Sequence, residues 1–178
     1  MSGDPAPAKR PIEEVRAARI FYAENGQDVS YFSALWHTFN VGHMLATDLD
    51  RICRGYDLSI ADFNLMGALR IERELPMRAT DLAVTLQVTN AALTARIARL
   101  EVAGILIKAA SQNDRRASTL ELTAEGIRKV DAIHFAMARD SYFVRHFREL
   151  DPEDRVALER IMGNLHAQME RYVVHVHR

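Results

Sequence analysis

The chain has a single cysteine, Cys53, among 178 residues, and no apolar run that approaches the roughly 20 residues a membrane span requires. A lone cysteine excludes an intramolecular disulfide framework and fits a reducing cytoplasm. The opening stretch MSGDPAPAKRP has no apolar centre, so it does not read as a secretory signal. Residues 1–10 are instead expected to form a disordered, Pro-rich tail. Also missing are a Gly-rich phosphate loop, a nucleophile elbow and a cluster of catalytic carboxylates. No enzymatic activity and no cofactor are expected on that account. The seven histidines are dispersed, and no Cys/His spacing resembles a zinc site, so no metal is expected either. Net charge is low as well, at −1, which excludes a polycation.

The distribution of charge is more informative than its sum. Residues 78–116 hold six basic side chains (Arg78, Arg96, Arg99, Lys108, Arg115 and Arg116) against Asp81, Glu101 and Asp114, a local excess of +3 that leaves −4 for the rest. A basic segment in a mildly acidic frame suits a polyanion-binding module on a scaffold, although chance fluctuation produces similar excesses.

With 48% apolar and 26% charged residues, the composition is that of an ordinary folded protein, and no repeat or long linker divides it. A short helix is expected within 11–24. Over 29–54, Phe32, Leu35, Trp36, Phe39, Leu45, Leu49 and Ile52 recur at helical spacing. Ser59 with Asp62 makes a capping box, with Leu58 stapled to Phe63, for a helix running to about Glu74. There Pro76 restricts the residue before it. Two short helices follow, ATDLAVTL and NAALTARIARLEVAG, the second capped by Thr89, stapled by Val88 and Leu93, and stopped at Gly104.

The period then changes. Residues 105–110 and 118–122 are two short apolar-rich segments around the polar tip SQNDRRA, which predicts a hairpin. Thr123 caps the next helix, with Leu122 stapled to Ile127, and that helix is expected to continue to about Leu150. Asp151 and Pro152 start the last one, whose stripe is Leu158, Ile161, Leu165, Met169, Tyr172 and Val176, widened by Met162 and Val173.

Two short helices joined by a tight turn and followed by a hairpin form a winged helix-turn-helix. The expected fold is therefore mainly α with a small β-hairpin wing, flanked by long N- and C-terminal dimerisation helices. Residues 11–58 and 124–178 are assigned to dimerisation and 59–123 to DNA binding. Long helices carrying one apolar stripe need a cover, so a two-fold homodimer is expected.

From about Phe32 to Tyr172 the chain resembles transcriptional regulators of the multiple-antibiotic-resistance (MarR) family. The resemblance rests on DLAVTLQVTNAALTARIARLEVAGIL together with NDRRASTLELTAEG. The first stretch alone is a generic helix-turn-helix pattern. The combination of RLEVAG, the DRR tip and the exit strand LELTAEG is specific. It implies a dimer on palindromic double-stranded DNA, a repressor in many members, released by a small anionic or phenolic ligand. Two departures stand out. Arg78 occupies a position where the family usually has Ser or Thr. Ala95 stands where an arginine is common, with Arg96 one place later, so base preference does not carry over.

On the helix NAALTARIARL, Leu93, Ile97 and Leu100 share the inward side, leaving Ala91, Ala95 and Ala98 outward with Thr94 and Arg99 at the borders, and Ala92 is counted with them among the DNA-binding residues. Small methyl groups admit the backbone to the groove floor and meet thymine methyls, and Thr94 serves donor or acceptor edges. Alanine is equally the best helix former and needs no such purpose. Thr89 and Asn90 sit at the end that enters the major groove. Arg96 and Arg99 lie on a flank better aimed at phosphates, Arg96 being alternatively structural. At the tip, Asp114 is expected to fix the loop by pairing with an arginine. Arg116, as the resemblance implies, enters the adjacent minor groove, while Arg115 is either that partner or a phosphate contact.

A cleft beside the DNA-binding lobe is expected to be lined by Trp36, His37, Phe39, Asn40, His43, Met44, Phe63, Met66 and Arg70, apolar walls with a cation that suit an aromatic carboxylate or phenol. Trp36, Phe39, Phe63 and Met66 equally serve as dimer core, with Arg70 then solvated. Cys53 offers a redox trigger as the alternative, yet it follows the apolar stripe and reads first as a buried small hydrophobe. A third alternative is a winged-helix module that binds proteins, or DNA only architecturally, without a ligand.

Overall fold

In the computed structural model the described residues are 10–71, 79–110 and 118–176. The expected tail 1–10 lies outside them except for Arg10. The elements are α1 (Pro11–Glu24), α2 (Phe32–Arg54), α3 (Ile60–Ile71), α4 (Ala79–Thr85), α5 (Asn90–Val102), β1 (Leu106–Ala110), β2 (Ser118–Leu122), α6 (Ala124–Asp140), α7 (Tyr142–Glu149) and α8 (Pro152–Val176). They divide into two compact units, Met1–Thr47 and Asp48–Arg178, so the division falls within α2.

The first unit contains α1 and most of α2. Glu13 closes the start of α1 by accepting the Arg10 backbone N–H at 3.1 Å and its guanidinium at 2.7 Å. Gly26 ends the turn after α1 with φ of +73°, a left-handed value that glycine adopts without a Cβ penalty. Asp28 then accepts the Ser30 N–H at 2.9 Å, and α2 begins at Phe32 rather than at residue 29. Rings of Phe21, Tyr22, Phe32, Trp36 and Phe39 follow one another in contact along the unit.

The second unit is a winged helix-turn-helix. Its core gathers Cys53, Leu58, Leu65, Met66, Leu69, Leu82, Leu93, Ile97, Leu100, Ile105, Leu106, Leu120, Val130 and Ile133. Helix α3 packs on α6 and β2, α4 on α5, and α5 on β1. The Ser59–Asp62 capping box forms as the spacing predicts, with the Asp62 carboxylate accepting the Ser59 N–H at 2.8 Å and its hydroxyl at 2.6 Å. Asp50, one turn before the end of α2, accepts the Ile60 N–H at 2.9 Å and ties α2 to the start of α3. The strands pair antiparallel with Leu106 opposite Leu122 and Lys108 opposite Leu120, so the apolar Leu106 and Leu120 reach the core while Ile107 and Glu121 face outward.

One expected helix is two. The chain breaks at Ser141, whose extended backbone (φ −70°, ψ 130°) ends α6 and whose hydroxyl accepts the Val144 N–H at 3.4 Å to start α7. The break is held from α2. Asp48 accepts the Tyr142 N–H at 2.7 Å, and Arg51, paired with Asp48 at 2.7 Å, donates to the Asp140 carbonyl at 3.1 Å. One ion pair thereby satisfies an orphan carbonyl at the end of α6 and an orphan N–H at the start of α7. On α8 the stripe residues Ile161, Met162, Leu165 and Met169 are exposed in the protomer.

Candidate nucleic-acid interface

Helix α5 owes its start and stop to local chemistry. Thr89, in extended conformation, accepts the Ala92 N–H at 3.2 Å. At the other end Gly104 has φ of +69°, with its N–H bonded to the Glu101 carbonyl and that of Ile105 to the Leu100 carbonyl. This is the pairing pattern of a left-handed glycine stop. Between these ends Leu93, Ile97 and Leu100 are buried, while Thr89, Asn90, Ala91, Ala92, Thr94, Ala95 and Ala98 are exposed. The Thr94 hydroxyl donates to the Asn90 carbonyl at 2.8 Å, which leaves its lone pairs outward. The outer face of α5 is thus a low surface of methyl groups edged with polar atoms.

Both arginines of α5 meet one buried acid. Arg99 bonds Oδ1 of Asp62, and Arg96 stands 3.5 Å from the same oxygen. The Asp62 side chain is 1% exposed, that of Arg96 18% and that of Arg99 52%. Burial pushes the Asp62 carboxyl upward, but hydrogen bonds from Ser59 and Arg99 outweigh it and hold the group below its ordinary value of 3.8. Arg96 is therefore mainly a structural partner that ties α5 to α3. Arg99 shares that role while half of its side chain stays open to solvent. A shallow cleft of about 390 Å³, lined in part by Arg54, Asp57 and Ser59, opens over the bridge. The sequence marked Asp62 only as a helix cap; its 37-residue separation from Arg99 carries no local signal.

Lys108 is likewise paired, with Glu101 at 2.6 Å. Each described cation of the basic segment thus has an acidic partner. Arg78, Arg115 and Arg116, with Asp114, carry +2 of the segment's +3 and lie outside the described residues.

The wing is anchored firmly to the body. The Thr123 hydroxyl donates to the Gly104 and Ile105 carbonyls at 2.7 and 3.1 Å and accepts the Gly126 N–H at 3.1 Å. Gly126 lies so close to the Ile105 carbonyl that a Cβ would collide with its oxygen.

The residues expected to line a ligand cleft are distributed differently. Trp36 and Asn40 line a pocket within the first unit, together with side chains of α1. His37, Phe39, His43 and Met44 are exposed on α2 and do not line that pocket. In the second unit Phe63 is half-buried against the core. Met66 is fully enclosed in that core, so it is a packing residue and not part of an open wall. Arg70 is bound to Asp131 through two hydrogen bonds of 3.1 and 3.2 Å, so its charge is already matched. The side chains that sequence reasoning missed in the first unit's pocket are Tyr22, Tyr31, Glu14 and Asp28, whose irregular spacing across a helix and a loop carries no periodic signal.

Cys53 is completely buried, and burial, with the nearby Asp50 and Asp62 charges, pushes its thiol up to about 11. A thiol so enclosed is the reverse of a sensing thiolate, which corrects the redox alternative. Among the described residues no helix is long and apolar enough to cross a membrane.

The MarR family model matches residues 69–118, which run from the end of α3 through the helix-turn-helix to the start of β2. The HTH-type transcriptional regulator PecS of Dickeya dadantii (strain 3937) is 30% identical over 122 residues, 66% of this chain and 70% of PecS. The fold is similar to that of S. aureus MepR in its complex with DNA, with a TM-score of 0.67 at 16% identity, covering 79% of this chain and 99% of MepR. It is also similar to the transcriptional repressor CouR, solved on a 23-mer DNA duplex, with a TM-score of 0.65 at 20% identity over 78% of this chain and 97% of CouR. The capped helix with an outward alanine face, the two-stranded wing locked by Thr123 and Gly126, and the similarity to PecS lead to one conclusion: this chain belongs to the MarR family of transcriptional regulators.

Proposed function

We propose that the chain works as a homodimeric repressor that sets its two α5 helices into successive major grooves of a palindromic operator and leaves it when a small aromatic ligand binds. The observation that carries this reading is the outer face of α5, exposed from Thr89 to Ala98 and free of bulky side chains, on a helix whose ends and inner face are fully secured. Thr89, Asn90, Ala91, Ala92, Thr94 and Ala95 read the groove floor. The open half of Arg99 meets a phosphate, and Arg96 positions the helix. At the wing tip Arg116 enters the minor groove, and Asp114 and Arg115 shape the loop. The DNA-bound structures of MepR and CouR, which share this fold, support the DNA reading, and CouR is itself a repressor.

Dimerisation is assigned to 11–58 and 124–178. Its support is the row of exposed apolar side chains on α8, with Leu35, Phe39 and Met44 exposed on α2. Such rows on a soluble chain call for a cover. The two-fold assembly would place the α5 helices about 34 Å apart. Ligand release is supported by the cavity of the first unit that Trp36 and Asn40 line.

Two measurements test this function. Sedimentation equilibrium is expected to give twice the 20.2 kDa of the chain. Selection of bound duplexes from a random pool is expected to enrich one two-fold symmetric motif. A stable monomer, or a pool without enrichment, overturns the proposal. The ligand arm is tested separately, by the loss of operator affinity and the rise in melting temperature on adding small aromatic compounds.

A further inference from the structure

The first unit holds an open-sided cavity of about 550 Å³ bounded by α1, the loop that follows it and the first turns of α2. This is within the size range of small-molecule sites, about 300–1,000 Å³. Four aromatic side chains line it: Tyr22, Tyr31, Phe32 and Trp36. The rings of Tyr22, Phe32 and Trp36 follow one another with centroids 5.6 and 6.1 Å apart and planes tilted by 50° and 53°, so they form an angled wall and not a flat stack. The charged groups of the lining are both carboxylates, Glu14 and Asp28; no Lys, Arg or His lines the cavity among the described residues. The Asn40 amide donates one N–H to the Trp36 carbonyl at 2.7 Å, and its side-chain oxygen offers an acceptor.

The charged and aromatic groups of this lining favour one sign of charge. Aromatic faces carry the negative lobe of the ring quadrupole and attract cations. The two carboxylates add to that potential, and the Asn40 oxygen adds an acceptor. An aromatic carboxylate, the ligand class expected from the sequence for Trp36 and Asn40, would meet like charges and ring faces there. We propose that this cavity is a binding site for an organic cation, a quaternary onium or protonated amine carrying aromatic or bulky apolar groups. The backbone N–H of Ser30 holds the Asp28 carboxyl below the usual carboxylate range, which keeps it charged at neutral pH. The inference concerns binding alone and does not depend on the operator reading.

Trp36 is the single tryptophan of the chain, so its emission reports on the cavity directly. The experiment titrates the full-length protein with tetraphenylphosphonium and, in parallel, with tetraphenylborate, an anion of nearly the same size and shape, in sodium buffer. The expected result is saturable quenching by the phosphonium and a weaker or unsaturable response to the borate. In the double variant Glu14→Gln/Asp28→Asn, whose fold is checked by circular dichroism, phosphonium affinity is expected to fall about tenfold. Absence of saturable quenching overturns the site. Equal or tighter binding of the borate overturns the charge assignment, as does unchanged phosphonium affinity in the folded double variant. Should the double variant fail to fold, the comparison of the two ions on the unmodified chain decides.

Discussion

At the scale of single residues, the described cations of the basic segment are tied into the protein by acidic side chains. Arg96, Arg99, Lys108 and Arg70 all have carboxylate partners, and Arg99 and Lys108 each keep about half of the side chain in solvent. The wing-tip arginines are the ones the sequence places in a polar turn with Asp114. Arg116→Ala is expected to weaken binding to every duplex alike and to reduce the salt slope by about one, as measured by fluorescence anisotropy across a salt series. An unchanged slope removes Arg116 from the contacts. Cys53 gives a second residue-scale expectation. With its thiol raised from 9.0 to about 11, the thiolate fraction near neutral pH is about a hundredfold lower than in the unfolded chain. Iodoacetamide should therefore label Cys53 at least that much more slowly in the native protein than in urea. Rapid native labelling would restore the redox reading.

At the scale of elements, the junction of wing and α6 depends on a close approach that only glycine permits. An exposed mid-helix Gly→Ala change ordinarily stabilises by about 1 kcal/mol. At Gly126 the added methyl meets the Ile105 carbonyl, which is already engaged by Thr123. Gly126→Ala is expected to destabilise the protein by about 1–3 kcal/mol in urea denaturation, the cost typical of overpacking. The sign is the test, since a stabilised variant would mean that β1 and α6 shift apart freely. The α6–α7 break follows the same logic. Ser141 sits within a long helical pattern, but a buried carboxylate on α2 waits for the Tyr142 N–H, and the helix gives way.

At the scale of the whole molecule, the two buried carboxylates Asp48 and Asp62 make stability depend on pH. Burial pushes both carboxyls upward, and hydrogen bonds from Arg51, Ser141 and Tyr142 on Asp48, and from Ser59 and Arg99 on Asp62, bring both below 3.8. The unfolded chain then binds protons that the folded chain still refuses. The stabilisation is complete above the ordinary carboxylate value of 3.8 and is lost as pH falls through the lowered folded values. Urea midpoints are expected to be flat from about pH 7 to 5 and to drop steeply below about 4. The Asp62→Asn variant should show a shallower acid limb, and an identical limb would place the acid sensitivity elsewhere.

Much of the fold was legible because its signals are local. Caps at Ser59, Thr89 and Thr123, the stop at Gly104, the helical period of α2 and α8 and the change to alternation at Leu120 and Leu122 each act within one turn or one strand. Such signals survive in any tertiary setting, so mainly helical architecture with a hairpin wing and an outward alanine face on α5 followed from them. What only the tertiary structure decided involves partners far apart in the chain. Asp62 gathers both arginines of α5, Asp48 breaks a long helix 94 residues away, Met66 closes into the core, and Glu14, Asp28 and four rings meet around one cavity. A buried charge must find a counter-charge wherever the folded backbone brings one, and no periodicity along the chain encodes that meeting.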